Sequence, residues 1–300
     1  MSLELHGIFG PVVTTFYQTN GDVDVAAFAA NVRAHVAAGL HGILVTGSTG
    51  EAALLTADER SMLVDAAREL VPQDKVLLVG TGAESTRACV ALTKDAAARG
   101  ADAVLVVAPH YFGPVMTPAA LRAHYERVAD TSPVPVVLYN IPKYMHFALA
   151  PSLVEQLAQH ENIVGIKDSS GNKDLLSSYI SIQSDTFSVL TGSAQLAQFA
   201  LESGARGGIL AVSLFAASLT MEAWSAVERG DTAAATAAQS ALTPVAAKIV
   251  GEMGIAGIKA AMDRVGLHGG PVRSPLLPLD AQQNEVVDEL LRTALGVTAG

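Results

Sequence analysis

The stretch VPVVLYNIPKYMHFALAPSLVEQLAQHENIVGIKD, residues 134–168, holds two short apolar, β-branched runs, 136–140 and 163–167. Between them Pro151 suits the first turn of a helix, where a missing N–H costs nothing. Strand, helix, strand is a β–α–β unit, and a helical crossover of that length joins parallel strands. Working outward, similar runs recur at 8–14, 42–46, 76–80 and 103–108 before it, and at 187–191 and 207–211 after it. Several are hydrophobic throughout, as strands covered on both faces are. Ala-rich amphipathic stretches at 25–38, 57–70 and 86–99 alternate with them. Thr56 with Glu59 forms a capping-box pattern, Pro118 suits another first turn, and Gly39 and Gly100 close two helices.

Eight strands alternating with helices predict an α/β chain folded as a (β/α)8 TIM barrel. An open doubly wound sheet is disfavoured, because no GxGxxG turn follows the first run. Beyond Leu214 the strand rhythm stops, and residues 215–292 read as wholly helical, with segments at 221–228, 232–250 and 257–265. We read one domain over 1–300, with the barrel at 1–229 and a C-terminal helical extension at 230–300.

Composition narrows the function classes. Half of the 300 residues are hydrophobic and 16% are charged, enough for a large core. Nineteen Lys and Arg against 29 Asp and Glu leave a net charge of −10, which opposes a nucleic-acid or anionic-membrane partner. The lone cysteine, Cys89, closes no internal disulfide and builds no Cys-based zinc site, so a reducing cytoplasm is expected. The longest weakly polar run, 207–220, is too short to cross a membrane. The opening MSLELHGIFG carries Glu4 and no basic region, so it does not read as a signal peptide.

In such a barrel the reactive groups belong at the C-terminal ends of strands. Lysine is the informative type. Of the seven, Lys75, Lys94, Lys143, Lys173, Lys248 and Lys259 fall in polar turns or helices where solvated lysines belong, whereas Lys167 ends the apolar run 163–167. Alternation puts Lys167 on one face with Ile163 and Gly165, the glycine leaving room. If that face is the interior, desolvation lowers the amine's pKa and makes a Schiff-base nucleophile. Otherwise Lys167 reaches solvent or pairs with Asp168. Tyr139, near the end of the preceding run, is placed to carry protons for a substrate on Lys167, or else is a core tyrosine. Gly47-Ser48-Thr49-Gly50-Glu51 brings hydroxyls and N–H groups together after the second run, as an anion cradle or as an ordinary turn. The Gly192-Ser193 and Gly207-Gly208 pairs give a weak phosphate signal. The scattered histidines make no paired metal site at a strand end, and no metal is expected.

Taken together and in order, GSTGE (47–51), Pro109-His110-Tyr111, YNIP (139–142) and GIKDSSG (165–171) resemble the N-acetylneuraminate lyase / dihydrodipicolinate synthase superfamily of class I pyruvate aldolases. The resemblance runs nearly end to end, from Gly10-Pro11-Val12-Val13-Thr14 to the RSPLLP segment that starts at Arg273. It implies Lys167 as the Schiff-base lysine and Tyr139 as the proton shuttle. Ser48 matches the relay hydroxyl, Thr49 the group that binds the pyruvate carboxylate, and Ile209 the residue whose backbone faces pyruvate. Tyr111 matches a tyrosine that completes a relay in a neighbouring subunit. Ser169, Gly192 and Tyr144 complete the substrate-binding set. The resemblance also implies a homotetramer built as a dimer of dimers, a 2-oxo acid substrate and no cofactor beyond the covalent Schiff base.

One position departs. Where the synthases carry an arginine two residues after the YNVP-type motif, this chain has Tyr144. That points toward cleavage of 4-hydroxy-2-oxoglutarate or a 2-oxo-3-deoxy sugar acid to pyruvate and an aldehyde. Condensation of pyruvate with aspartate semialdehyde, or a sugar-acid dehydration, is the alternative within the superfamily. A phosphosugar isomerase and a binding barrel without catalysis are the readings outside it.

Overall fold

A computed structural model describes Leu3 and residues 5–296. Met1, Ser2, Glu4 and residues 297–300 lie outside it, and with them the Glu4 part of the N-terminal reading and the last residues of the extension. Eight strands close into one parallel barrel in chain order. They are β1 (Gly7–Pro11), β2 (Gly42–Val45), β3 (Val76–Gly80), β4 (Ala103–Val107), β5 (Val136–Asn140), β6 (Ile163–Asp168), β7 (Ser188–Thr191) and β8 (Gly207–Ile209). Around them lie α1 (Val25–Ala37), α2 (Ala57–Arg68), α3 (Thr86–Ala98), α4 (Pro118–Thr131), α5 (Pro142–Met145), α6 (Pro151–Leu157), α7 (Lys173–Ile180), α8 (Ala197–Glu202) and α9 (Ala217–Glu228). The caps match the sequence. Thr56 and Glu59 bond each other's backbone N–H ahead of α2, and Pro118 and Pro151 open α4 and α6.

Closure depends on a glycine. Gly207 of β8 faces Gly7 of β1, and a Cβ at Gly207 would sit 2.0 Å from the Gly7 carbonyl oxygen. No side chain fits there, so the glycine at 207 is accounted for by the pairing of β8 with β1.

The interior pattern departs from simple alternation at one place. Val136 pairs with Ile163 but Val137 pairs with Gly165, so two residues of β6 pass one of β5. The slip turns Ile163 away from the face shared by Gly165 and Lys167.

The extension is α10 (Thr232–Val245), a π-helical stretch Ala246–Glu252, α11 (Gly254–Arg264) and α12 (Ala281–Leu295). Two expectations are corrected here. The helix expected over 232–250 changes type at Val245, just after Pro244, whose ring leaves one carbonyl without its usual donor. Residues 267–280 are irregular, so 215–292 is not wholly helical. The extension packs on the barrel through Ile8, Val13 and Leu40, which share an apolar cluster with Leu242, Ile249, Met262 and Leu291. No described helix is long and apolar enough to cross a membrane.

Candidate active site

A cavity of about 280 Å³ opens at the C-terminal end of the barrel strands. Tyr139 of β5 and Lys167 of β6 are paired across the sheet and both line it. The Lys167 ammonium nitrogen stands 4.3 Å from the centre of the Tyr139 ring. Lys167 is 5% exposed, and burial lowers its pKa to about 7. Near neutral pH much of it is therefore the free amine, the form that attacks a carbonyl.

Lys167 does not pair with Asp168. The Asp168 carboxylate points to the other side of the strand and accepts from Asn140 Nδ2 at 2.7 Å and Ser170 Oγ at 2.7 Å. Asn140 Oδ1 accepts in turn from the Leu149 N–H at 2.9 Å. Those bonds tie the loops after β5 and β6 together, and among the described residues the lysine has no counter-ion.

Burial raises the pKa of the Tyr139 phenol, and hydrogen bonds from Ser169 and Ser48 offset part of the rise. Room for the Ser169 and Lys167 side chains comes from across the cavity. A Cβ on Gly192 would lie 1.9 Å from Ser169 Oγ and 2.9 Å from Lys167 Cε. Gly165, expected to make that room, instead lets β7 approach, since its Cβ would meet the Ser188 carbonyl oxygen at 2.5 Å.

Ser48 and Thr49 line the cavity from the loop after β2. That loop is bracketed by two left-handed residues, Thr46 at φ 51° and Glu51 at φ 55°. Such a backbone costs a non-glycine residue about 1–3 kcal/mol and persists only where its surroundings impose it. Here Thr46 Oγ1 donates to the Gly80 carbonyl at 3.0 Å, and Thr14 Oγ1 donates to the Gly50 carbonyl at 2.7 Å. Ile209, ending β8, closes the floor.

A model of the dihydrodipicolinate synthetase family matches residues 4–294. The chain belongs to that family. It is an enzyme of the lyase class within the N-acetylneuraminate lyase / dihydrodipicolinate synthase superfamily. It is 33% identical to the 4-hydroxy-tetrahydrodipicolinate synthase of Methanoculleus marisnigri, over 95% of this chain and 98% of that one. A DapA-like lyase of Halobacterium salinarum is 37% identical over 93% of this chain and 90% of its own length. Among solved structures, YagE of Escherichia coli K12, determined with pyruvate, superposes with a TM-score of 0.90 at 31% identity, covering 96% and 97% of the two chains.

Within this dihydrodipicolinate synthetase family member, Lys167, Tyr139, Ser48, Thr49, Ser169, Gly192, Ile209 and Tyr144 all line one cavity. Tyr144 lies at its mouth, 40% exposed. Tyr111 does not join them. It is 79% exposed on the loop after β4, its ring edge-to-face with Phe112 at 5.0 Å and its N–H donating to Glu84. Among the described residues no cluster of three His, Cys, Asp or Glu offers a metal site.

Two features escaped the sequence. The extension contributes Val250, Gly251, Ile255 and Ile258 to the cavity wall, and Lys143 Nζ donates to the Gly251 carbonyl at 2.8 Å. Lys259, read as a solvated lysine, is 1% exposed and ion-paired with Glu51. The Glu51 of GSTGE was a visible signal, but nothing local names its partner 208 residues away.

Proposed function

We propose that the chain is a Schiff-base aldolase that cleaves a 4-hydroxy-2-oxo acid into pyruvate and an aldehyde. The observation that carries this reading is Lys167, buried over the Tyr139 ring with no counter-ion among the described residues. Its neutral amine adds to the C2 carbonyl, and loss of water gives an iminium that draws electrons from the C3–C4 bond. Thr49 and neighbouring N–H groups hold the C1 carboxylate. Tyr139 takes the C4 hydroxyl proton while passing its own to Ser48, so the C3–C4 bond breaks and the aldehyde leaves. The remaining enamine takes a proton at C3 through the same relay, and water then releases pyruvate from Lys167. The deciding experiment is borohydride reduction with pyruvate in EDTA. A stable three-carbon adduct is expected on Lys167 and on no other lysine, and absence of an adduct, or one elsewhere, rejects the reading.

The hydroxy-acid preference rests on the cavity mouth. No arginine lines the cavity among the described residues, Tyr144 offers one neutral phenol, and the Lys143 ammonium is held by the Gly251 carbonyl. A phenol suits a hydroxyl or carbonyl better than a carboxylate, which prefers a guanidinium fork. The second reading, condensation of pyruvate with aspartate semialdehyde, is favoured by relatives named 4-hydroxy-tetrahydrodipicolinate synthase at 33% and 35% identity. Wild type is expected to show the higher kcat/KM for 4-hydroxy-2-oxoglutarate or a 2-oxo-3-deoxy sugar acid. Tyr144→Arg should shift the ratio toward aspartate semialdehyde by about tenfold or more, the worth of one charge-assisted pair. If wild type already prefers aspartate semialdehyde, the synthase reading replaces ours.

We assign Tyr111 to the relay of a neighbouring copy. Tyr111, Phe112 and Val115 form an exposed apolar tip on one loop, outside their own cavity. A dimer or tetramer is expected by light scattering at micromolar concentration, and a monomer removes Tyr111 from the mechanism. The single cysteine, buried and with its thiol pKa raised to about 12, suits a cytoplasmic enzyme.

A further inference from the structure

We propose that the buried Glu51–Lys259 ion pair is a positioning device. It clamps the C-terminal extension onto the loop carrying Ser48 and Thr49 and thereby sets the grip on the substrate carboxylate. The inference rests on the function proposed above.

Lys259 lies on α11 and its side chain is 1% exposed, while that of Glu51 is fully buried. Their charged atoms meet at 2.5 Å. Each end of the pair holds something else. Lys259 Nζ also donates to the Pro271 carbonyl at 2.7 Å, and Glu51 Oε2 accepts from the Arg273 N–H at 2.8 Å. The irregular segment after α11 is thus laced to the β2 loop from both sides. Arg273 continues the lacing, with its guanidinium on Glu59 of α2 and on the Leu54 and Gly21 carbonyls. Lys259 and Arg273 both stack on Phe16, at 4.5 and 4.2 Å from its ring centre.

The clamp acts where the loop is strained. Glu51 has left-handed backbone, and it sits two residues from Thr49. A side chain fixed at both carboxylate oxygens holds that conformation, and the conformation aims Ser48 and Thr49 into the cavity. Glu51 and Lys259 themselves do not line it. A surface pair would do none of this, because exposed ion pairs fix little. A buried pair is costly to desolvate, so it speaks for specificity of geometry here more than for stability.

The test is borohydride trapping against pyruvate concentration, read as half-saturation and maximal trapping rate. Glu51→Gln/Lys259→Met removes both charges at similar volume and keeps an acceptor for Arg273. It should raise half-saturation by about tenfold while the maximal rate stays within about threefold, a binding effect separated from chemistry. Arg264→Met is the control, since it breaks the Arg264–Asp288 pair of the same extension away from the loop. It should lower thermal stability and leave half-saturation within about twofold. Unchanged half-saturation in the double variant overturns the proposal, and so does an equal rise in Arg264→Met. Should the double variant not fold, Glu51→Asp keeps both charges but shortens the clamp, and the same comparison decides. If wild type traps no pyruvate, the proposed function falls instead. Amide exchange of residues 47–52 in the same variants then decides the clamp alone, with faster exchange expected and unchanged exchange overturning it.

Discussion

Replacing Lys167 with methionine is expected to lower turnover of any 2-oxo acid by at least on the order of 10⁴-fold and to abolish borohydride trapping. Methionine keeps the volume between Tyr139 and Gly192, so the barrel should remain closed. The pH behaviour carries the same signature. The free amine is the reactive form, so kcat/KM of wild type should rise with pH and level off above about 7, where Lys167 loses its proton. Stability runs the opposite way to the usual gain from a paired charge. The unfolded chain keeps this lysine protonated up to its ordinary pKa of about 10.4. The folded protein sheds the proton near 7, so burying Lys167 costs most below pH 7, progressively less above it, and nothing beyond the unfolded value. Lys167→Met should therefore raise Tm more at pH 6 than at pH 9. Equal shifts at both pH values would mean that the amine is not buried in its charged form at low pH. Residual turnover above about 1% would show that Lys167 is not the nucleophile.

Removing one oxygen from Tyr139 is the second large effect. Tyr139→Phe keeps the ring beneath the Lys167 amine but deletes the hydroxyl that Ser169 and Ser48 address. Cleavage is expected to fall by about 10²–10⁴-fold, the range for a lost general acid–base group. Trapping of pyruvate should be hurt less, because the amine can still add to the carbonyl. The comparison is single-turnover cleavage against trapping rate on the same preparation. A fall below about tenfold in cleavage would make Tyr139 a packing residue and move the proton transfer to another hydroxyl.

The sequence by itself determined the barrel. Eight runs of strand length, helices of 3.6-residue period between them and the caps at Thr56, Pro118 and Pro151 all concern near neighbours, and near neighbours decide such elements. It also singled out Lys167, since one lysine ending an apolar strand is a local anomaly that composition cannot hide. Motif order carried Ser48, Thr49 and Tyr139 to their places around it.

Tertiary structure decided the remainder. Whether Lys167 pairs with Asp168 depended on Asn140 and Ser170 occupying that carboxylate. That Gly192 and not Gly165 clears space for the lysine depended on which strand backbone crowds which glycine. Ile163 left the interior face because β6 slips one residue against β5, and a slip is set by two strands together. Lys259 looked like any helical lysine, because a salt bridge across 208 residues leaves no mark on the residues beside it. Periodicity and propensity act over a few residues, whereas burial, partner choice and cavity shape are properties of segments that only closure of the barrel brings together.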